Sequence, residues 1–322
     1  LMLKLNSLSG FGSGVSGGGG NTSVYGYYSE GQISTGGETD TTDRLTFATS
    51  TAAAHTDADS SYSREGPRGL YCGTVYGQIG GGGFPRTNDI QKFTWATSVS
   101  ATTTNTLAIA FLGMGVSSDS VTYGYWCGGD DGAASTESCR TTFATGANAL
   151  HTDADLSATR KYVSQMTHPL LYGFTVGGYT DPHPTFTADS DRITFSTGVG
   201  AAHTDSNVST TRGNMGNVSD YTTYGYYVGG GNDVITDRMT FATSVVAAHT
   251  DSNCVLNCAN GQGCSGQLYG FIIGWTSQYG SHETPAQRMT FATGVVALHT
   301  DADATGGFGR NHPATLSDAS PN

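Results

Sequence analysis

Charge is scarce in this chain, and positive charge scarcer. Charged residues make up 12% of the sequence, and 14 Lys plus Arg face 26 Asp plus Glu, for a formal net charge of −12. Phosphate binding needs a basic patch, so nucleic acid is not an expected partner. No basic segment is available for anionic lipid. No run approaches the roughly 18 consecutive apolar residues of a membrane helix, so membrane insertion is not expected. Helical periodicity is hard to find.

Catalytic signatures are missing as well. There is no G-x-S-x-G elbow, no H-E-x-x-H and no phosphate-cradling G-x-x-x-x-G-K-[ST]. The expectation is a protein that is not an enzyme and needs no cofactor. The chain begins at Leu1 rather than Met and shows no signal peptide over Leu1–Asn6, which reads as a processed or incomplete polypeptide.

What is abundant is Gly, with 47 residues, set among runs of Tyr, Phe, Val and Ile. That combination reads as short strands and tight turns. A Tyr-Gly pair recurs at Tyr25, Tyr76, Tyr123, Tyr172, Tyr224 and Tyr269, at intervals of 51, 47, 49, 52 and 45 residues. A second block follows each pair, centred on Arg44, Lys92, Arg140, Arg192, Arg238 and Arg288, as in DRLTFAT and QRMTFAT. A third block, HTD, begins at His55, His151, His203, His249 and His299, with Thr103 in that place in the second copy.

The spacings separate rigid parts from adjustable ones. From the Arg of the second block to the HTD His is 11 residues in all five copies that carry both. From the Tyr to the basic residue the count runs from 14 to 20, so that segment is a surface loop of variable length. Each copy then divides into four strands: one before Tyr-Gly, the YGYYVGG run, the RMTFAT run, and VVAAH before the HTD turn. A four-stranded unit of about 40–50 residues repeated in tandem is the mark of a β-propeller. The expected fold is all-β, a six-bladed propeller over residues 25–322 with four antiparallel strands per blade, preceded by a Gly-rich segment over residues 1–24.

Arg64, Arg160 and Arg212 each lie 12 residues before the Tyr, and the strand after that Tyr ends in Gly-Gly at Gly177-Gly178 and Gly229-Gly230. These residues resemble the kelch repeat. The DRITFSTG…AAHTDSN…R variant further resembles repeats in tail-fibre and other virion proteins of marine and cyanobacterial bacteriophages, over roughly Tyr25 to Arg310. The resemblance implies the fold more firmly than the role, because propellers host unrelated activities.

Residues repeated in every blade are spread around a ring, so the five HTD motifs read as structural turns, with Ca²⁺ binding as the rival. The repeated Arg residues suit bridges to carbonyls and Asp carboxylates between blades. Phe47, Trp95, Phe143, Phe195, Phe241 and Phe291 read as interblade core. A sugar platform would use one-off aromatics: Trp126, Trp275, Tyr279 or Tyr179.

Of the six cysteines, Cys127 and Cys139 flank a hairpin and are expected to be bonded to each other. Cys254 and Cys264 are expected in a disulfide loop, with the pairing of Cys72 and Cys258 open. Disulfides would place the protein in an oxidising, extracellular setting. The sequons at Asn21, Asn207 and Asn217 matter only in a eukaryotic secretory host.

Two termini compete for one strand position before Tyr25: residues 1–24, and the C-terminal segment from Arg310. Arg310 keeps the repeat's basic residue, so the C-terminal strand is the better fit. Leu1, Met2, Leu3 and Leu5 are then left as an apolar cluster able to reach a neighbouring subunit. The leading expectation is a structural subunit of an extracellular or virion assembly, with copies of itself as partners. A host-receptor or glycan-binding module is the alternative, and a propeller enzyme the third reading.

Overall fold

The computed structural model describes residues 24–33, 37–72, 75–168, 170–182, 185–231, 233–276, 282–305 and 310–318. Six four-stranded antiparallel sheets form the blades of a β-propeller. From the axis outward, blade 1 is Ala314–Ser317, Tyr25–Ser29, Thr42–Thr46 and Thr51–Ala54. Blade 2 is Arg68–Cys72, Tyr76–Gly80, Asp89–Thr94 and Val99–Thr106, and blade 3 is Gly115–Ser118, Tyr123–Cys127, Ser138–Thr142 and Asn148–Leu150. Blade 4 is Ser164–His168, Tyr172–Val176, Ser190–Thr194 and Val199–Ala202. Blade 5 is Gly216–Ser219, Tyr224–Val228, Thr236–Thr240 and Val245–Ala248, and blade 6 is Gln262–Ser265, Tyr269–Ile273, Gln287–Thr290 and Val295–Leu298.

The innermost strands neighbour one another in sequence order around the axis, and Ala314–Ser317 lies between those of blades 6 and 2. The strand position contested by the two termini therefore belongs to the C-terminal strand. Residues 1–23, with Leu1, Met2, Leu3 and Leu5, lie outside the described residues.

The core is divided into six layers, one between each pair of adjacent blades. Leu70, Ile90, Phe111, Met114, Trp126 and Phe143 fill the layer between blades 2 and 3. Met166, Phe174, Met215, Tyr227, Met239 and Phe241 fill that between blades 4 and 5. Each inner or second strand is buried on both faces because a blade is covered from two sides. Outer strands such as Val199–Ala202 are mostly exposed.

A repeated glycine turn fixes the joints. The double glycines sit in left-handed backbone, φ +63 at Gly177 and +108 at Gly178, which a side chain would strain. The second of each pair donates its N–H to a carbonyl of the next blade's connection: Gly31 to Arg64, Gly82 to Phe111, Gly129 to Arg160, Gly178 to Arg212 and Gly230 to Cys258, at 2.6–3.0 Å. Alternation of antiparallel strands returns these turns, and the variable loops with them, to one end of the ring.

The ring closes by rebuilding a turn from two separate pieces. In blades 3 and 5, Asp119 and Asp220 end the inner strand, and Oδ1 of each accepts the N–H of the Tyr that opens the next strand, Tyr123 at 2.8 Å and Tyr224 at 2.9 Å. Asp318 does the same across the chain's two ends, its Oδ1 accepting the N–H groups of Val24 and Tyr25 at 2.9 Å. Its own N–H donates to Tyr25 O at 3.0 Å, as Asp119 does to Tyr123 O at 3.0 Å and Asp220 to Tyr224 O at 3.1 Å. Hydrogen bonds to a charged acceptor contribute about 1.5–3 kcal/mol. Asp318→Ala is expected to lower the urea midpoint more than Asp220→Ala, because only Asp318 lacks a covalent turn beneath it. Equal midpoints for the two variants would remove the clasp role.

Candidate binding site on the loop face

The repeated cations do two different jobs. Arg44, Lys92, Arg140, Arg192, Arg238 and Arg288 each lie over the ring of the repeat Tyr in their own blade, at 4.2–4.6 Å from the centroid. They stack within blades, and Arg288 also bridges to blade 1 as expected, its Nη1 donating to Ser50 Oγ at 3.4 Å. Such cation–π contacts add about 0.5–1 kcal/mol each at exposed sites.

The second set is buried at the loop-face end of the joints. Arg212 donates from Nη1 to Gly229 O at 2.8 Å and from Nη2 to Asp237 Oδ2, and Arg160 makes the same pair with Asp191. Burial lowers both guanidinium pKa values, and the facing carboxylates oppose that shift.

Arg64 departs from this pattern, because the Asp position of its blade is Gln91. Its carboxylate comes instead from Glu30, at 2.7 Å to Nε and 2.8 Å to Nη2. Glu30 occupies the first-glycine position of blade 1 with φ +61. Burial pushes its carboxyl up, and the Arg64 guanidinium pulls it back. Elsewhere both partners are replaced together, by Phe111 with Cys139 and by Cys258 with Gln287. At these positions the described joints replace or keep the two charges together, as the cost of an unpaired buried ion favours. The side chain of Arg310 lies outside the described residues.

The HTD blocks are joints too. His55, His151 and His299 point Nε2 at the carbonyls of Ser98, Gly198 and Ser50 in neighbouring blades, at 3.0–3.1 Å. In the two HTDSN copies a Ser replaces Ala and holds the ring by its Nδ1, at 3.0 Å for Ser206 and 2.7 Å for Ser252. The ring then meets Arg192 or Arg238 instead. The last residue of each block caps the third strand: Asp59, Asp155 and Asp303 accept the N–H groups of Thr42, Ser138 and Ala286 at 2.7–2.8 Å. These carboxylates are structural caps. Among the described residues no group of three or more His, Cys, Asp or Glu could hold a metal ion.

Blade-specific chemistry gathers where the six connections enter the inner strands. Gly66, Gly113, Tyr162, Asn214, Asn260 and His312 occupy equivalent positions, all with φ between +51 and +66. Several are joined in a circle of main-chain bonds: Gly66 N–H to His312 O, Gly113 to Gly66, Asn214 to Tyr162, and Asn260 to Asn214. Two positions carry no side chain, two carry Asn, and the others carry Tyr and His, so a sixfold frame presents an asymmetric mouth. Around it, His312 Nδ1 faces Glu65 Oε1 at 3.2 Å, Arg86 meets Asp130 at 2.7 Å, and Lys161 meets Asp181 at 2.9 Å. Burial, then Glu65 and Asp130, push the Tyr162 hydroxyl up to about 12, so it stays protonated at neutral pH.

Arg68 opens the inner strand of blade 2 beside this cluster. It donates to Met114 O at 3.1 Å and Pro67 O at 3.3 Å, and burial lowers its pKa to about 10. At the other end of the axis, all six inner strands line a cavity of about 130 Å³, with Ser117, Gln165, Asn217, Ser219, Ser265 and Ser317 on its wall. No charged residue lines it, and it has room for a few waters.

No protein-family model matches the chain, and neither does any curated protein. The site is therefore characterised by its own geometry. Among the described residues no helix is long and apolar enough to cross a membrane.

Several expected site residues are placed differently. All six cysteines are free and buried. Cys127 pairs across the hairpin with Ser138, and Cys139 with Trp126, an offset of one position. Successive side chains alternate between faces, so the two thiols point into different layers, Cys127 beside Tyr125 and Leu156, Cys139 beside Phe111 and Trp126. Burial raises their pKa values to about 12 and about 11. Cys254 and Cys264 are also apart, one packed near Tyr226 and Met289, the other near Phe47 and Phe271.

Trp126 is no surface platform. It is fully buried, its Nε1 donating to Thr141 Oγ1 at 2.9 Å. Tyr179 is half-buried on the loop face, 4.3 Å from Phe186 and 5.7 Å from Tyr162 between ring centroids. The side chains of Trp275 and Tyr279 lie outside the described residues. Of the repeat aromatics, Phe47, Phe143, Phe195 and Phe241 are buried in the interblade layers as expected.

Proposed function

We propose that this chain is a non-enzymatic structural subunit of an extracellular or virion assembly, joined to copies of itself. The observation that carries this reading is the rim. Thr51–Ala54, Val99–Thr106, Asn148–Leu150, Val199–Ala202, Val245–Ala248 and Val295–Leu298 end their sheets and pair on one side only. None of them contains a charged residue or a proline. Edge strands are ordinarily blunted by such residues because an open edge templates another chain. Val199, Val245, Val295 and Leu298 are 44–50% exposed there.

The proposed occupant of an open edge is a neighbour's N-terminal segment. Leu1, Leu3 and Leu5 alternate with Met2, Lys4 and Asn6 in the period of a strand. About 15 residues of Gly- and Ser-rich chain behind them reach roughly 20 Å. The kelch-like and virion-like character of the repeats supports the same reading. The free buried thiols withdraw the support that disulfides would have lent to an extracellular setting, so the reading rests on the rim.

Sedimentation and negative-stain imaging of the full chain test the proposal. Polymers are expected, and both removal of residues 1–20 and the Val199→Lys/Val245→Lys/Val295→Lys variant should leave folded monomers. A full chain that stays monomeric at high concentration, or a truncated one that polymerises unchanged, would overturn it.

A monomer would instead favour the second reading, a receptor- or glycan-binding module. Its support is the asymmetric mouth with exposed Phe84 nearby on the loop face, 5.8 Å from the Arg86 guanidinium.

A further inference from the structure

In the connection from blade 5 to blade 6, two thiols lie in contact. Cys254 follows the HTDSN turn of blade 5, and Cys258 takes the place of Arg160 and Arg212 in other joints, its carbonyl accepting the Gly230 N–H as theirs accept those of Gly129 and Gly178. Their sulfurs are 3.1 Å apart, inside the contact distance of two unbonded sulfurs. Both are buried, and the intervening Val255 and Leu256 form an exposed surface turn. The remaining contacts of Cys258 Sγ are Gln287 Nε2 at 2.6 Å and Leu256 O at 3.1 Å. The main chain is anchored on both sides, Cys254 N–H to Val234 O at 2.8 Å and Gly230 N–H to Cys258 O at 2.6 Å.

We infer that Cys254 and Cys258 are a cross-linking site, a thiol pair that oxidises to a disulfide and closes the joint between blades 5 and 6. The chemistry fits the position. Two other joints hold this connection by an Arg–Asp pair, Arg160 with Asp191 and Arg212 with Asp237. Here the Asp position is Gln287, which cannot form an ion pair, and the Arg position is a thiol with a second thiol beside it.

The reaction is an exchange with a small dissolved disulfide such as oxidised glutathione. One protein thiol loses its proton and attacks a glutathione sulfur, releasing one glutathione. The second protein thiol then displaces the other, forming the Cys254–Cys258 bond. Two electrons and two protons pass from the protein to give two reduced glutathiones. Burial pushes the Cys258 thiol well above its ordinary value, so the folded protein should react slowly and faster at higher pH, where the attacking thiolate is populated.

Trypsin provides a direct readout, because Cys254, Cys258 and Cys264 all lie on the peptide from Met239 to Arg288. The full chain is incubated with oxidised glutathione, unfolded in iodoacetamide without reductant, digested and sequenced by tandem mass spectrometry. The expected peptide carries one alkyl group, on Cys264, and is lighter by two hydrogens at the Cys254–Cys258 pair. Prior reduction should restore three alkyl groups. Cys264→Ser should still form the cross-link, whereas Cys258→Ser should leave Cys254 alkylated. The oxidised protein should melt a few degrees above the reduced one. Three alkyl groups after prolonged oxidation, or a bond that includes Cys264, would overturn the assignment.

Discussion

A chain truncated after His312 is expected to lose its cooperative fold. The missing strand, Ala314–Ser317, is the innermost of blade 1 and pairs with Gly26–Ser29 through four registered positions. Ala314 and Leu316 are buried with Tyr27, Ile79 and Phe93 in the layer between blades 1 and 2. Losing a buried Leu side chain costs about 2–5 kcal/mol. The second strand of blade 1 also loses the partner of its inner edge, and Val24 and Tyr25 lose the Asp318 cap. Against a typical stability of about 5–15 kcal/mol, the sum leaves no stable ring. Circular dichroism should show a lost or broadened transition, and a synthetic peptide of residues 306–322 added in trans should restore it in part. A truncated protein with the melting point of the full chain would mean that another segment fills the place.

Arg212→Met is expected to destabilise the fold by about 3–5 kcal/mol, because it leaves the Asp237 carboxylate buried without its guanidinium. Adding Asp237→Leu should return most of that loss, to within about 1–2 kcal/mol of the parent, since an apolar pair of similar volume replaces a buried ion pair at small cost. Blade 3 already carries such an exchange, with Phe111 and Cys139 packed in one layer. Urea unfolding of the two single variants and the double gives the coupling energy directly. Equal losses in the single and double variants would show that Arg212 acts through its carbonyl contacts and not through Asp237.

The blades were legible because a propeller writes its period into the sequence: Tyr, Arg and His recur at fixed separations, and each separation maps to one hairpin. The C-terminal strand was legible for the same reason, since Arg310 falls in register with Arg64, Arg160 and Arg212. Cys127 and Cys139 were misread because the hairpin register decides which face a side chain takes, and the variable loop between them conceals that register. One residue of offset turned neighbours into occupants of opposite layers.

Trp126 was misread although the signal existed. It aligns with Tyr227 in the second strand of blade 5, a core position, and not with a loop. The mouth could not be read at all. Glu65, Arg86, Asp130, Lys161, Asp181 and His312 come from connections and loops of different copies, and only closure of the ring brings them together. Glu30 as partner of Arg64 was hidden likewise, because it stands at a glycine position of another blade.

The clasp at Asp318 separates the unit of sequence from the unit of structure. A copy read along the chain supplies three strands to one blade and the innermost strand to the next, so every blade is stitched from two copies. The two half-copies at the ends fit each other whatever number of complete copies lies between them. Duplication or loss of a whole copy would therefore leave the closing turn chemically unchanged. The number of blades is then set by the wedge angle of the six interblade layers, through the bulk of residues such as Trp126 and Phe93.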